Sequence, residues 1–480
     1  MKTRIPDHVT SIVQTLTEAG HKAYIVGGSV RDVLIGLPPK DWDITTDALP
    51  ESIQELFPDS AYENDFGTVA VKVRFENHVE IVEVTTFRTE GDYQDSRHPD
   101  SVEFVTDVTQ DLARRDFTIN AMAMDLEGNI VDPFNGQKDL KSKVIRTVGI
   151  PEDRFGEDAL RLMRAVRFAM QLDFTIEEET LEAMKKLAPT LENIAKERIN
   201  VELTKMMMTP RAMQGFILLE EVGLLTYIMP ELQEGIGCTQ NKHHIYDVWE
   251  HLLRTMQHAV DEDMSFDLRM AGLLHDIAKP RTKEGEGVNS TFHNHEIVGA
   301  SMAYEILLRL KYPRKFAARI SKLVRYHMFY YDIGAVTDSS VRRLIMKAGK
   351  ENIADLIKLR ECDRIGSGTP KARPYRLRHF EYLTEKVMSD PISSAMLAIK
   401  GQDLMTENGL TPGPKIGAIL DVLLSEVLED PTRNTRENLL TRAKELETQE
   451  LSTLRNQARE IIEYKQEEME TRRKRKYHVK

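Results

Sequence analysis

Residues 24–32 read Tyr-Ile-Val-Gly-Gly-Ser-Val-Arg-Asp, and residues 40–45 read Lys-Asp-Trp-Asp-Ile-Thr. The apolar run that ends in two glycines predicts a buried strand entering a tight turn, where bare backbone amides can approach a phosphate. Because residues i and i+2 of an extended segment point to one side, Asp41 and Asp43 are predicted to share a face and to chelate Mg²⁺. The pattern favours nucleotidyl transfer with two metal ions about 3.5–4 Å apart.

An Asp-x-Asp pair alone is common in surface loops, so its context carries the argument. Gly-Gly-x-Val-Arg-Asp, a spacer and Asp-x-Asp together resemble the signature of the DNA polymerase beta nucleotidyltransferase superfamily. More narrowly, they resemble the bacterial class II tRNA nucleotidyltransferases, the CCA-adding enzymes, and their poly(A) polymerase relatives. The resemblance implies that Asp41 and Asp43 are catalytic and bind Mg²⁺, and that Gly28 and Arg31 bind the nucleotide.

Two further segments extend the resemblance. Residues 79–88 (VEIVEVTTFR) are a β-branched run that predicts a strand. Glu83 matches the family's third carboxylate facing the metals, whereas Glu80 is expected on a solvated face. Residues 114–122 (RRDFTINAM) match the second motif of the family, and the resemblance places Arg115 at the triphosphate.

A charged ridge is predicted on the helix within residues 156–168 (GEDALRLMRAVRF). Its members recur every third residue: Asp158, Arg161, Arg164 and Arg167. Spacing alone also fits an ordinary charged helix face. An apolar stripe runs beside the ridge, so the arginines are expected to border the core: Leu160, Met163 and Val166.

Base selection by protein side chains follows from the resemblance. A carboxylate accepts from an exocyclic amine, and a guanidinium donates to a ring nitrogen or carbonyl oxygen. C and A share an amine beside an acceptor, whereas G and U do not. The family assigns this reading to Asp158 and Arg161, with Arg164 and Arg167 also at the nucleotide. Residues 194–208 resemble the next motif, in which Glu197 and Arg198 support the reading helix.

Composition is that of a large enzyme of a reducing compartment. The chain has 480 residues, of which 41% are hydrophobic, and two cysteines, which argue against a disulfide framework. No apolar run is long enough to span a membrane and the first residues lack a signal-peptide core, so we expect a cytoplasmic protein without membrane association. The net charge of −12 requires local basic patches for any tRNA contact. Residues 472–476 (RRKRK) are either such a patch or a frayed terminus.

The expected fold class is α+β, with a small mixed-sheet nucleotidyltransferase head and a mostly α-helical remainder. We predict a head at 1–150, a helical nucleotide-reading neck at 151–235, an HD-type domain at 236–375 and a helical tRNA-binding tail at 376–480. Residues 398–404 and 413–417 resemble tail segments of the same family that contact tRNA.

A second chemistry is indicated in the middle of the chain. Residues 243–251 (HHIYDVWEH) and 273–279 (LLHDIAK) resemble the HD superfamily of metal-dependent phosphohydrolases. The resemblance implies a metal site with four ligands and two further candidates for a second ion. The four are His251, His275, Asp276 and Asp363, and the further two are His295 and His327. Imidazole with carboxylate suits Mn²⁺, Ni²⁺, Fe²⁺ or Zn²⁺. An HD fold with an inert site is the alternative.

The family resemblance leaves variants of the activity open. Full CCA addition to tRNA from CTP and ATP is the main interpretation. Residues 88–99 (RTEGDYQDSRHP) match a flexible segment that CC-adding enzymes tend to lack, and residues 73–77 (VRFEN) lack the Gly-Arg-Arg-Phe of many poly(A) polymerases. A-only addition stays open. A different class, an RNA-end phosphohydrolase with a non-catalytic head, is disfavoured because both Asp41 and Asp43 accompany Glu83.

Overall fold

The head is built around a mixed β-sheet. The computed structural model describes residues 5–64, 66–91, 102–241, 244–389 and 394–479. The strands of the head are β1 (Ala23–Val26), β2 (Asp43–Thr46), β3 (Ser60–Asn64), β4 (Thr68–Arg74), β5 (Val79–Thr86), β6 (Arg88–Glu90), β7 (Val102–Phe104), β8 (Ala123–Met124) and β9 (Ile130–Val131). Its helices are α1 (Asp7–Glu18), α2 (Gly28–Leu34), α3 (Pro50–Leu56), α4 (Val108–Ala113) and α5 (Gly136–Ser142).

Seven of these strands form one sheet in the order β3-β4-β5-β2-β1-β8-β9. The pair β2–β5 is parallel, whereas β1 runs antiparallel to both β2 and β8. The predicted mixed sheet is therefore confirmed. Residues 134–149 begin with Phe-Asn-Gly and end with Thr-Val-Gly, a pattern that predicts a turn and a connecting segment. This prediction is wrong for residues 136–142, which form the helix α5 with Leu140 buried on its inner side.

Alternation along β5 separates two acids. Val82 and Val84 are buried, and Glu83, between them, points to the opposite face and is exposed. Glu80 lies on the same face of the strand as the two valines and forms an ion pair with His8 of α1 at 3.0 Å. The sheet thus directs Glu80 toward α1 and Glu83 away from it. The expectation that Glu80 lies on the solvated face of the strand is therefore wrong, because Glu80 shares the face of the buried valines.

The neck is helical, as predicted. Its helices are α6 (Pro151–Glu157), α7 (Leu160–Leu172), α8 (Glu178–Leu187), α9 (Lys196–Met207), α10 (Ala212–Glu221), α11 (Leu225–Ile228) and α12 (Pro230–Gln233). Two short strands, β10 (Val144–Ile145) and β11 (Thr175–Ile176), pair in parallel beside them. The apolar stripe of α7 is buried as expected, with Met163 and Val166 at most 1% exposed.

The segment with the HD motif is also mainly helical. Its elements are α13 (Val248–Asp261), α14 (Phe266–Leu274), β12 (Lys283–Glu284), β13 (Thr291–Phe292), α15 (His295–Arg309) and α16 (Arg314–Tyr326). The remaining helices are α17 (Asp338–Ala348), α18 (Ile353–Gly366), α19 (Tyr375–Met388), α20 (Gly401–Glu407), α21 (Pro414–Glu429), α22 (Arg436–Glu447) and α23 (Leu451–Tyr477). Within the described ranges, no helix is both long and apolar enough to cross a membrane.

The chain divides into two compact units. The first comprises Met1–Arg325 and Cys362–Thr369, and the second comprises Tyr326–Glu361 and Pro370–Lys480. The predicted HD domain, residues 236–375, therefore contributes to both units. The division follows packing, which groups Cys362–Thr369 with Met1–Arg325.

The second unit contains a docked C-terminal helix. Leu423 of α21 and Leu454 of α23 are fully buried in its apolar core. At the other end of α23, Arg473 Nη2 donates to Ser389 Oγ at 3.1 Å and Tyr477 Oη donates to Glu385 at 2.6 Å. The interpretation of residues 472–476 as a frayed terminus is therefore wrong, because α19 holds this helix end in place.

Candidate active site and metal centre

The turn after β1 brings backbone without a side chain up to two charged groups. Gly27 has φ +78°, which glycine tolerates best, and its N–H donates to the Met122 carbonyl at 3.3 Å. A Cβ here would lie 2.9 Å from Arg115 Nη1 and 3.8 Å from Asp43 Oδ2. Gly28 follows as the first residue of α2. Glycine at position 27 therefore allows the turn to approach both the guanidinium and the carboxylate.

The predicted catalytic carboxylates lie around the start of β2 and the middle of β5. Asp43 begins β2 and is the register partner of Glu83 on β5. Asp41 lies in a bend before β2 and is exposed. Burial raises the pKa of Asp43, the Arg115 guanidinium opposes this rise, and the Asp41 carboxylate adds to it. A half-buried acid that ionises reluctantly beside a second acid is a favourable ligand for a cation.

The carboxylates of Asp41, Asp43 and Glu83 do not form a compact group of metal ligands. Among the described residues, some His, Cys, Asp and Glu side chains form groups of three or more whose ligand atoms lie within 4.8 Å of one another. Each such group of described residues contains Asp276, and none contains a carboxylate of the head. The carboxylates of Asp41, Asp43 and Glu83 are thus further apart than the ligands of a formed metal site.

Arg115 has a spare donor at this end of the sheet. Burial lowers the pKa of Arg115, and the Asp111 and Asp43 carboxylates oppose that change. Its buried Nε has no hydrogen-bond partner among the residues that the structure describes. A guanidinium with an unused N–H in a buried position is suited to binding an anion.

A buried polar chain joins the first, second and third motifs. Arg31 Nη1 donates to Asn120 Oδ1 at 2.7 Å, and Asn120 Nδ2 donates to Asp116 Oδ1 at 3.0 Å. Arg164 Nη2 lies 2.6 Å from Asp116 Oδ2. Although burial opposes ionisation of Asp116, Arg164 and Asn120 lower its pKa to about 2. Arg31, predicted to bind the nucleotide, is 4% exposed and also pairs with Asp32 at 2.8 Å.

Asp158 lies outside the predicted helix. It occupies an extended position (φ −143°, ψ 104°) between α6 and α7, where its carboxylate accepts from Leu160 N at 3.0 Å. Arg198 of α9 donates two hydrogen bonds to it, at 3.2 and 2.6 Å. The expectation of a continuous ridge that includes Asp158 is therefore wrong, because the carboxylate satisfies an N-terminal amide of α7 from outside the helix.

The three ridge arginines have separate partners. Arg161 Nη1 donates to the Arg154 carbonyl at 2.9 Å, and Nη2 donates to the Arg114 carbonyl at 3.1 Å. Arg167 forms an ion pair with the buried Glu202. The resemblance suggested supporting residues in α9, and Glu202 is one that the motif analysis did not identify.

Three arginine side chains lie close to the aromatic ring of Phe168. The guanidinium carbons of Arg31, Arg164 and Arg167 lie 5.2, 5.3 and 4.0 Å from its centroid. These distances are within the range of cation–π attraction. The sequence did not indicate that Phe168 contacts these guanidinium groups, because its position in the helix is typical of an ordinary apolar core residue.

The HD motif forms a buried cluster. Its members are His251, His275, Asp276 and Asp363, all within the first unit. His251 Nε2 lies 3.0 Å from His275 Nε2, 3.1 Å from Asp276 Oδ2 and 3.5 Å from Asp363 Oδ1. Helices α13, α14 and α18 thus bring together the four ligands that the sequence resemblance named.

Opposite charges dominate this cluster. Burial opposes protonation of His275, but Asp276 and Asp363 raise its pKa to about 9. Burial also disfavours the charged form of Asp276, yet His275 and Lys279 hold its pKa well below the usual range. Burial lowers the pKa of His251. The cluster therefore stabilises a carboxylate surrounded by positive charge.

Further residues contact Asp276. His295 Nε2 lies 3.2 Å from Asp276 Oδ1. Lys279 Nζ lies 2.6 Å from Asp276 Oδ2 and donates to Gln240 Oε1, also at 2.6 Å. The other residue predicted for a second ion, His327, is not part of the first unit. It follows α16, is buried, and belongs to the second unit. Lys279 has no role predicted from the sequence, although its position three residues after Asp276 is a signal for such a contact.

The donor set fits a transition-metal ion. Imidazole nitrogens and carboxylate oxygens at about 2.0–2.2 Å from an ion lie about 3–3.5 Å from one another in compact coordination shells. The separations given above start at 3.0 Å, and that between His275 Nε2 and Asp363 Oδ1 is 3.8 Å. His251, His275, Asp276 and Asp363 would hold such an ion.

Family models match three parts of the chain. The poly(A) polymerase head domain matches residues 23–146, the "probable RNA and SrmB-binding site of polymerase A" matches residues 173–236, and the HD domain matches residues 248–366. The CCA-adding enzyme of Ligilactobacillus salivarius is 35% identical over 446 residues, covering 92% of this chain and 98% of that protein. The CCA-adding enzyme of Latilactobacillus sakei is 36% identical over 433 residues, covering 90% and 96%.

A solved structure has the same architecture. The Bacillus stearothermophilus CCA-adding enzyme in complex with CTP aligns with a TM-score of 0.58 and 30% identity, covering 91% of this chain and 96% of that one. The similarity therefore extends from the head through the helical remainder.

Proposed function

This chain belongs to the family of bacterial CCA-adding enzymes, and from that premise we propose how its residues divide the work of building the 3′ end of tRNA. The enzyme adds CMP and AMP from CTP and ATP without a nucleic-acid template. The observation that carries the residue assignment is the pairing of Asp43 with Glu83 on adjacent parallel strands beside Arg115 and the glycine turn. A cytoplasmic location fits the two free cysteines.

Two of the head carboxylates are assigned to a divalent ion. Enzymes of this type use divalent metals, and we assign Mg²⁺ to Asp41 and Asp43, with Glu83 as the third catalytic acid. The raised pKa of Asp43, caused by burial and further by the Asp41 carboxylate, marks a position where a cation replaces a proton. Bound Mg²⁺ would supply charge neutralisation for the phosphates of the incoming nucleotide.

Arg115 and the glycine turn provide the triphosphate site. The unused Nε of Arg115 supplies a buried N–H, and the close approach of Gly27 leaves room for phosphate oxygens beside the guanidinium. Gly28, at the start of α2, offers a backbone N–H at the same turn. Arg31 and Arg164 support the triphosphate site indirectly. They are joined to each other by the hydrogen-bonded chain of Asn120 and Asp116.

Asp158 and Arg161 can still form hydrogen bonds to a nucleobase, although both already have partners within the protein. A carboxylate has about four lone-pair sites, of which the contacts from Arg198 and Leu160 N occupy three. A guanidinium has five N–H donors, and those of Arg161 that point to the Arg154 and Arg114 carbonyls fix its plane. We assign the reading of C and A to this fixed pair, with Arg198 as the residue that orients Asp158.

Truncation of Asp158 is expected to relax base selection. In Asp158→Ala, discrimination against UTP and GTP should fall by about 1–3 kcal/mol, the worth of a lost bidentate contact. The measurement is kcat/KM for each NTP on tRNA that ends before CCA. Asp153→Ala, an exposed acid of α6, is the matched control. An equal loss for all four nucleotides would make Asp158 a structural residue.

One assay on the unmodified enzyme separates the family variants. The protein is incubated with tRNA lacking its 3′ end, Mg²⁺ and each NTP singly and in combination, and the products are sequenced. CCA ends that form only with CTP and ATP together are expected. Addition of A alone to tRNA ending in CC, or a long A tail, would instead identify an A-adding enzyme or a poly(A) polymerase.

A second activity is favoured by the buried HD cluster. We propose a metal-dependent phosphohydrolase that acts on phosphate esters such as 2′,3′-cyclic nucleotides. A divalent transition ion held by His251, His275, Asp276 and Asp363 would supply Lewis-acid chemistry. Lys279 contributes a cation beside Asp276 that can hold a phosphate oxygen.

A further inference from the structure

Asp111 is a buried acid that neither motif analysis nor family comparison has assigned a role. It lies in α4 and its side chain is fully buried. Arg114 Nε donates to its Oδ1 at 2.9 Å, and Arg115 Nη2 lies 3.7 Å from its Oδ2. A buried carboxylate is tolerated only when it is paired in this way.

The same carboxylate contacts the strands that carry the catalytic acids. Thr45 Oγ1 lies 3.4 Å from Asp111 Oδ2 and 3.1 Å from the Thr85 carbonyl. Thr45 follows Asp43 by two residues on β2, and Thr85 follows Glu83 by two residues on β5. Asp111 therefore sits on the face of the catalytic acids, one residue pair further along the strands.

Arg115 is shared between two acids. Its charge opposes the rise that burial causes in the pKa of Asp43, and the charges of Asp111 and Asp43 both oppose the fall that burial causes in the pKa of Arg115. The glycine turn limits the guanidinium on a third side, because a Cβ at Gly27 would lie 2.9 Å from Nη1. If Asp111 lost its charge, Asp43 would be the only acid of this pair left to attract Arg115.

We propose that Asp111 is a positioning residue for nucleotide addition, which holds Arg115 in its phosphate-binding place and keeps it from closing onto Asp43. This inference rests on the proposed roles of Arg115 at the triphosphate and of Asp43 at the metal. Its consequence is that Asp43 stays available to Mg²⁺ because Asp111 takes part of the arginine's charge.

The test is the nearly isosteric variant Asp111→Asn, assayed for CMP addition to tRNA lacking CCA over a range of Mg²⁺ and CTP concentrations. The KM for CTP and the Mg²⁺ concentration for half-maximal rate should each rise about tenfold, as for the loss of one charge-assisted contact, while kcat at saturation changes less. Asp107→Ala, which removes the N-cap of the same helix, should lower thermal stability without moving the Mg²⁺ response.

A double-mutant cycle identifies the route of the effect. In an Arg115→Gln background, Asp111→Asn should change the Mg²⁺ response less than about twofold, because the residue it positions is gone. A full tenfold shift in that background would overturn the proposal and assign the effect to another partner such as Arg114. If Asp43→Ala and Arg115→Gln themselves kept wild-type kinetics, the proposed site would fail, whereas normal kinetics of Asp111→Asn alone would remove only the positioning role.

A second variant covers the case in which Asp111→Asn does not fold. Thr45→Val keeps the shape of the strand residue and removes the hydroxyl that holds Asp111 Oδ2. A rise of about threefold in the Mg²⁺ requirement is expected, because the lost hydrogen bond is long, at 3.4 Å, and therefore weak. An unchanged requirement in folded Thr45→Val would then count against the proposal.

Discussion

Replacing Asp41 or Asp43 with alanine is expected to lower kcat for nucleotide addition by on the order of 10³ or more, because each change removes a ligand of the catalytic metal. Stability should hardly change. Asp41 is exposed, and Asp43 is a carboxylate whose pKa is raised by burial, so neither charge contributes much to folding. The measurement is single-turnover incorporation of CMP into tRNA lacking CCA, with thermal unfolding recorded for each protein.

The strand β5 offers a matched control for this experiment. Glu83→Gln alters the register partner of Asp43, whereas Glu80→Gln alters an acid of the same strand that pairs with His8 on the other face. Loss of activity in Glu83→Gln with retention in Glu80→Gln would separate the site from a general effect of strand charge. A folded Asp41→Ala protein with more than about a tenth of wild-type incorporation would contradict the metal assignment.

Replacing Asp276 with alanine is expected to abolish hydrolysis of phosphate esters while leaving nucleotide addition in place. The cluster loses the carboxylate that lies 3.1 Å from His251 Nε2, and the buried histidines are left with one acid, Asp363. Nucleotide addition depends on Asp41 and Asp43, so it serves as an internal measure of correct folding. Ni²⁺ or Mn²⁺ should support hydrolysis better than Mg²⁺, because imidazole ligands favour the softer ions.

Metal content gives this prediction a readout that does not depend on a chosen substrate. After reconstitution with Ni²⁺ and desalting, the wild type should retain the ion and Asp276→Ala should not, and His258→Ala, on α13 outside the ligand cluster, should behave as the wild type. Equal hydrolysis by the wild type and Asp276→Ala, or no hydrolysis by the wild type with any divalent ion, would leave the HD segment a structural spacer.

Local sequence patterns sufficed for much of the fold. The apolar run before the glycines is strand β1, and the β-branched run at 79–88 contains β5. These predictions hold because strand periodicity and glycine turns depend on near neighbours in the chain. The helix α5 was missed because its seven residues carry too little periodicity to be distinguished from a turn.

The place of Asp158 illustrates the limit of spacing arguments. Residues 158, 161, 164 and 167 satisfy a helical repeat, yet α7 begins at Leu160 and Asp158 lies in extended backbone held by Arg198. The arginine comes from α9, so the energy that stabilises this conformation arises from packing between helices. A repeat along the chain cannot report such a contact.

The sequence by itself determined which chemistries are present: an acid pair after a glycine turn, a charged ridge beside an apolar stripe, and the four HD ligands in order. Tertiary structure alone decided their geometry. The register that sets Asp43 opposite Glu83, the contact of Thr45 with Asp111, and the meeting of Asp363 with His251 all join residues distant in the chain. Such contacts depend on burial and charge pairing in the folded protein, because a charge buried there must find its partner wherever packing supplies one.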